Sequence, residues 1–287
     1  MADRKKNRKW LIPVFAVVAA LLIIWIAWGN SALELNTYTV TSDRVPLAFS
    51  GLRIAQVSDL HNGQMGKNNE NLLSMLRDAQ PDMIAITGDL IDSRRTNMEV
   101  ALDFAREAVK IAPCYYVTGN HEGRVADYHK LRNGLTALGV TVLESTRVEL
   151  VRNEEKLVIL GINDPMFHRD DLHHDGQAAR KIKLKELVSA GDAYTVLLSH
   201  RPELLDIYAY AGADLVLTGH AHGGQFRLPL IGGLFAPNQG FFPEYDAGMY
   251  VRNSTTMIVS RGIGNSIFPF RINNRPEVVL IELNATP

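Results

Sequence analysis

Leu52-Arg53-Ile54-Ala55-Gln56-Val57 runs directly into Ser58-Asp59-Leu60-His61, an apolar stretch ending in a short polar cluster. A run of this length and bias reads as a strand. A strand that ends in an Asp-x-His pair delivers metal-type donors to one end of a sheet. The pattern recurs outward from here. The strand Asp82 to Thr87 leads to Gly88-Asp89, and Tyr115 to Thr118 leads to Gly119-Asn120-His121-Glu122. Tyr194 to Ser199 leads to His200, and Asp214 to Thr218 leads to Gly219-His220-Ala221-His222-Gly223-Gly224. Between them lie stretches of helical spacing: Asn68 to Ala79 closed by Pro81, Asn97 to Ile111 closed by Pro113, Asp127 to Leu138 before Gly139, Gln177 to Ala190, and a short helix from Pro202. This alternation predicts an α/β fold with a largely parallel core. Short strands across Val140 to Gly161, strand pairs from Met249 onward and a last strand at Val278 to Leu283 predict a second sheet packed on the first. Glycine and proline crowd 228–248, which reads as a long loop.

In open α/β sheets, ligands bind outside the carboxyl ends of the strands. Five clusters at five strand ends therefore converge on one place. Besides Glu122 they offer the two carboxylates of Asp59 and Asp89, one amide oxygen and five imidazoles. Nitrogen and oxygen donors without thiolate suit Mn²⁺, Fe, Zn²⁺ or Co²⁺. Two adjacent divalent ions need a negative bridge between them, so one aspartate must serve both. Each cluster alone is a weak signal, since a strand-terminal Gly-Asp is often a turn and a lone His200 is most often a satisfied core histidine. All five in this order are a specific one.

The order Asp59-x-His61, Gly88-Asp89, Gly119-Asn120-His121-Glu122, His200, Gly219-His220-x-His222 resembles the calcineurin-like metallophosphoesterase superfamily over about Leu52 to Leu283. His220 to Gln225, Arg227-Leu228-Pro229, Val259 to Gly264, Arg271 and Pro276-Glu277 resemble its membrane-associated bacterial branch of phosphodiesterases. The resemblance implies a four-layer α/β/β/α sandwich. It implies that Asp59, His61, Asp89 and His222 hold one metal, that Asp89 bridges, and that Asn120, His200 and His220 complete a second. His121 would then act on the phosphate as the catalytic side chain, with Glu122 orienting it, while a metal-bridging hydroxide attacks in line. Arg261 and Arg271 are supporting or substrate-binding candidates.

The first thirty residues set the location. Arg4, Lys5, Lys6, Arg8 and Lys9 precede an uncharged apolar run from Trp10 to Trp28. At about 1.5 Å per residue this run spans roughly 28 Å, one hydrocarbon core. Trp10, Trp25 and Trp28 stand at its ends, where indoles favour the interface. The basic cluster keeps the N-terminus cytoplasmic by the positive-inside rule. Gly29-Asn30-Ser31 is a poor signal-peptidase site, which favours an uncleaved anchor. The expected division is a cytoplasmic basic tail (1–9), a transmembrane anchor (10–28), a connector with the first strand (29–50) and a metallophosphoesterase domain (51–287), extracytoplasmic on a single-pass membrane protein.

The expected function is metal-dependent hydrolysis of phosphodiester or pyrophosphate bonds in an envelope or lipid-linked substrate. An extracytoplasmic phosphomonoesterase and a non-catalytic metal-binding scaffold are the rivals. A formal net charge of −1 argues against a nucleic-acid partner. The single cysteine, Cys114, excludes an internal disulfide and reads as a buried residue. His168, His173 and His174 read as part of a solvated loop, and His129 as helix surface. Leu230, Ile231, Leu234, Phe235, Phe241 and Phe242 form an apolar loop after the His220/His222 cluster, suited to an acyl chain or a bilayer.

Overall fold

The computed structural model describes residues 11–167, 181, 183–189, 191–265 and 268–286. The basic cluster, Trp10, His168, His173 and His174 lie outside these residues. Helix α1, Leu11–Ser31, has no buried residue and is long and apolar enough to cross a membrane. It extends three residues past the expected end at Trp28.

The strands β1 (Glu34–Ser42), β2 (Leu52–Val57), β3 (Met83–Thr87), β4 (Cys114–Val117) and β5 (Thr141–Val142) join one six-stranded sheet. The last strand of the chain, β16 (Glu277–Ala285), inserts between β1 and β2, parallel to β1 and antiparallel to β2. From β2 to β5 the sheet is parallel. The first strand expected within 29–50 is β1, which pairs with β16 over its whole length.

The second sheet runs β14 (Gly248–Arg252), β15 (Thr255–Val259), β9 (Leu215–Thr218), β8 (Tyr194–Leu198), β7 (Glu155–Gly161) and β6 (Thr146–Arg152). Its four central strands are parallel, and β14 and β6 close it antiparallel. Parallel strands covered on both faces read as continuous apolar runs, which is why they are visible in the sequence.

The pleat sorts their side chains into layers. Met83 and Ala85 of β3 face the other sheet and meet Leu157, Ile159, Val196, Leu198 and Leu217. Ile84 and Ile86, on the opposite face, pack against helices α2 (Glu70–Ala79), α3 (Met98–Ala108) and α4 (Tyr128–Ala137). On the far side of the second sheet, Leu160, Leu197 and Val216 pack on Leu184, Val188 and helix α5 (Leu205–Ala211). The result is the expected four-layer α/β/β/α sandwich. Helix α3 opens on Asn97, whose side chain accepts the Glu99 N–H, an N-cap that satisfies one free donor of the first turn.

The stretch read as a long loop is more ordered than that. It folds into two short antiparallel pairs, Arg227–Leu228 with Gly232–Gly233 and Phe235–Ala236 with Gly240–Phe241. Gly232 and Gly240 take φ of +100° and +77° at their ends. Glycine there makes turns, not disorder.

Candidate metal centre

Each polar cluster sits on the first residues after a strand. The backbone turns out of the sheet there through the left-handed region: Asp59, His61, Asp89, His220 and His222 all have positive φ, between 47° and 66°. For residues with a Cβ this is strained and persists only where surrounding bonds impose it. The bonds are present. Asp59 and His61 donate their N–H groups to Gly88 O and Asp89 O, and Gly219 donates to His200 O. A Cβ on Gly119 would overlap the Asp89 carboxylate, and one on Gly219 would overlap Ser58 Oγ and Asp59. Glycine at both positions lets the loops close on the carboxylates.

Two groups of acceptors result. In the first, His61 Nε2 and His222 Nε2 are 3.2 Å apart. They stand 3.7 Å and 3.4 Å from Asp59 Oδ1. In the second, His200 Nε2 lies 3.2 Å from His220 Nδ1 and 3.2 Å from Asp89 Oδ2. Asp89 Oδ2 is also 3.6 Å from His61 Nε2, so this carboxylate stands between the groups. One end of the Asn120 amide lies 2.8 Å from His220 Nδ1, and the other faces the His121 N–H and Arg124. Every one of these ligand residues is buried.

The donor set fits metal ions. Ligand atoms about 2.1 Å from a tetrahedral or octahedral ion stand roughly 3.0–3.4 Å from one another, close to the 3.2–3.7 Å seen in the two groups. The outer nitrogens of His200 and His220 have partners. His200 Nδ1 donates to Thr87 O (2.8 Å), which leaves Nε2 as the free acceptor. His220 Nε2 lies 3.0 Å from Asn238 Oδ1 and 3.1 Å from Arg201 Nη1, with Nδ1 turned toward the group. His61 Nδ1 and His222 Nδ1 are buried without a partner among the described residues.

The electrostatics agree. Burial opposes ionisation of Asp59 and Asp89, yet the surrounding imidazoles hold both below the ordinary carboxylate range. Burial also opposes charge on His200, but Asp89 and Asp59 push it up to about 10. A ring pushed that far marks a place where positive charge is stabilised. Burial drives His222 down to about 3, and burial together with the Arg201 charge drives His220 down, so both rings are neutral and can ligate.

His121 lies beside this set, its ring centroid 4.6 Å from that of His61. Burial pushes it down to about 4 against the pull of Asp89. Its Nδ1 accepts the Ser93 N–H at 3.0 Å, so the neutral ring carries its proton on Nε2. Glu122 does not touch that ring, contrary to the expectation that it orients His121. Its fully buried carboxylate accepts N–H groups from Gly119 (2.7 Å), Asp89 (2.9 Å) and Ile91 (3.2 Å). It staples two metal loops together, and Ser93 orients the ring.

A cleft of about 180 Å³ opens onto these groups, lined by Asp89, Asn120, His121, His220 and His222 and also by Arg94, Arg124 and Asn238. Behind His220, Arg201 is buried against Asp164, with its Nη2 3.0 Å from Asp164 Oδ1, and Nη1 donates to Asn238 Oδ1 at 2.6 Å. No motif or spacing pointed to Asp164, Arg201 or Asn238. Arg124 follows the Asn-His-Glu triplet by two residues, a spacing that could have drawn notice. Arg261 and Arg271 line a different cavity (below). His129 is exposed and Cys114 is buried.

A two-sheet α/β sandwich with clustered buried histidines and aspartates at its strand ends defines a metal-dependent hydrolase scaffold. The chain belongs to the calcineurin-like phosphoesterase family, whose model matches residues 52–224. It is 27% identical over 259 residues to the "Uncharacterized metallophosphoesterase YkuE" of Bacillus subtilis (strain 168), covering 88% of this chain and 86% of that one. It is 28% identical over 245 residues to "Phosphodiesterase YaeI" of Escherichia coli (strain K12), covering 80% and 82%. It is 29% identical over 297 residues to the "Transmembrane protein with metallophosphoesterase domain" of Bos taurus, covering 98% of this chain and 65% of that protein.

Proposed function

We propose that this protein hydrolyses phosphodiester or pyrophosphate bonds with two divalent metal ions, on an envelope or lipid-linked substrate. The observation that carries the chemistry is the pair of acceptor groups flanking Asp89. Asp59, His61 and His222 would hold one ion, Asn120, His200 and His220 the other, with Asp89 between. Bound there, two ions supply hydroxide near neutral pH and neutralise charge on the phosphoryl oxygens. His121 is in the proton state to donate from Nε2 to a phosphoryl or leaving oxygen. Arg94 and Arg124 at the cleft wall add cationic groups that suit an anionic substrate. Pro237 and Asn238 line the same cleft, and their segment exposes Leu230, Ile231, Phe241 and Phe242. That pairing favours a substrate presented by a lipid surface. The N-terminal helix and the relatives named as transmembrane proteins favour a membrane anchor, with the N-terminus cytoplasmic and the domain outside.

The test is turnover of bis-p-nitrophenyl phosphate by metal-stripped protein with Mn²⁺ restored, beside Asp89→Asn and His220→Ala. Metal-dependent activity lost in both variants is the expected result. Turnover of the monoester alone points to a phosphomonoesterase. Bound metal with no turnover of either, soluble or in vesicles, points to a scaffold.

A further inference from the structure

A second cavity, of about 240 Å³, lies where the N-terminal helix meets the sandwich. Trp25, Ile26, Trp28 and Gly29 form one wall, and Glu34, Arg261 and Arg271 to Arg275 form the other. It shares no lining residue with the metal cleft.

The junction is built rather than incidental. Asn30 accepts the Arg271 N–H (2.7 Å) and donates to Arg271 O (2.9 Å). Arg275 donates to Ala32 O (2.8 Å) and Leu33 O (2.9 Å), and its guanidinium lies 5.0 Å over the Trp28 ring. Three guanidinium groups face the cavity region. Glu34 and Glu277 are both engaged with Arg261. Arg271 is fully buried and bonds only to Arg261 O, Gly264 O and Asn265 Oδ1, with no carboxylate in ion-pair reach among the described residues. No carboxylate pairs with Arg275 there either. Three guanidiniums against the carboxylates of Glu34 and Glu277 leave the wall with a net positive charge.

Its position says what compensates it. The tryptophans sit at the end of a helix long enough to cross a bilayer, the depth of lipid phosphates. Immediately before Arg271, Phe268 and Phe270 are exposed and pack on Phe226. Apolar side chains followed by guanidiniums match the step from acyl chains to head groups. The geometry points to a binding site for the phosphate of an anionic membrane phospholipid, clamped between the helix end and the 271–275 loop. Such a lipid would seal the anchor to the sandwich. The inference does not rest on the proposed hydrolysis.

The test is native mass spectrometry of the full chain in detergent, titrated separately with dioctanoyl phosphatidylglycerol, dioctanoyl phosphatidylcholine and inorganic phosphate. Phosphatidylglycerol should bind at least about fivefold more tightly than phosphatidylcholine, the effect of one interfacial cation. Arg275→Gln should abolish that preference and Arg275→Lys should keep most of it. Equal binding of the two lipids, or an undiminished preference in Arg275→Gln, overturns the proposal. So does inorganic phosphate that blocks the lipid at equal concentration, which would make this a free-anion site. If Arg275→Gln does not fold, the wild-type comparison of the three ligands still decides.

Discussion

Replacing Asp164 with alanine should destabilise the sandwich far more than its place in a surface-connected loop suggests. Arg201 and Asp164 are both buried, at 5% and 2% exposure. Asp164 accepts from Arg201 Nε and Nη2 and from the Met166 N–H at 2.8 Å. Its removal strands a guanidinium away from water, with Glu203, at 3.4 Å from Nη1, the one carboxylate left among the described residues, beside the Asn238 amide. Breaking a buried pair from one side costs about 3–5 kcal/mol. At about 2–4 °C per kcal/mol for a domain of this size, Tm should fall by roughly 6–20 °C. Removing the charge as well, in Asp164→Ala with Arg201→Met, should recover roughly 1–3 kcal/mol, the coupling range for residues in contact. The assay is thermal unfolding by circular dichroism in detergent, with chelator present so that bound metal contributes nothing. A fall below about 3 °C for the single variant refutes the reasoning. So does a double variant whose loss equals the sum of the two singles.

Burial pushes the Cys114 thiol up to about 12. The folded protein should therefore ignore thiol reagents at pH 8 and react once denatured. Because this folded-state value lies above the ordinary 9.0, the group's contribution to stability is present below pH 9 and is lost as pH rises from 9 toward 12, which urea melts across that range would show. Asn238→Ala removes the acceptor at His220 Nε2 and should weaken metal binding by about 10–100-fold in a chelator competition. Unchanged affinity would count against the assignment of His220 Nδ1 as the ligand atom. Phe241→Ser with Phe242→Ser should lower turnover of a vesicle-borne substrate and spare bis-p-nitrophenyl phosphate, whereas equal loss on both would remove the case for a lipid-facing segment.

The layers and the clustered residues were legible in the sequence because their signals are local. A buried parallel strand is a short apolar run, and Asp59, His61, Asp89, Asn120, His200, His220 and His222 each follow such a run within a few residues. What supports them is not local. Asp164 and Arg201 are 37 positions apart, as are Arg201 and Asn238, and neither residue type nor spacing foretells that they meet. Glu122 was visible, but its partners were not, because they are backbone groups of another loop. The hairpins in 228–242 were missed because glycine and proline mark turns without saying whether the residues between them pair. Strand order was equally hidden, since β16 takes its place by packing and not by propensity.

The pairing of β1 with β16 carries a consequence for biogenesis. β1 is the first strand to follow the helix, and its sheet partner is the last strand of the chain. At about 5–20 residues per second, the intervening chain takes on the order of tens of seconds to synthesise. Through that interval β1 has an open edge, while β2 to β5 can already assemble. Closure of this sheet therefore waits on Glu277–Ala285, and a nascent chain cut short before them would keep its site-bearing strands but leave β1 bare, a ready signal for quality control.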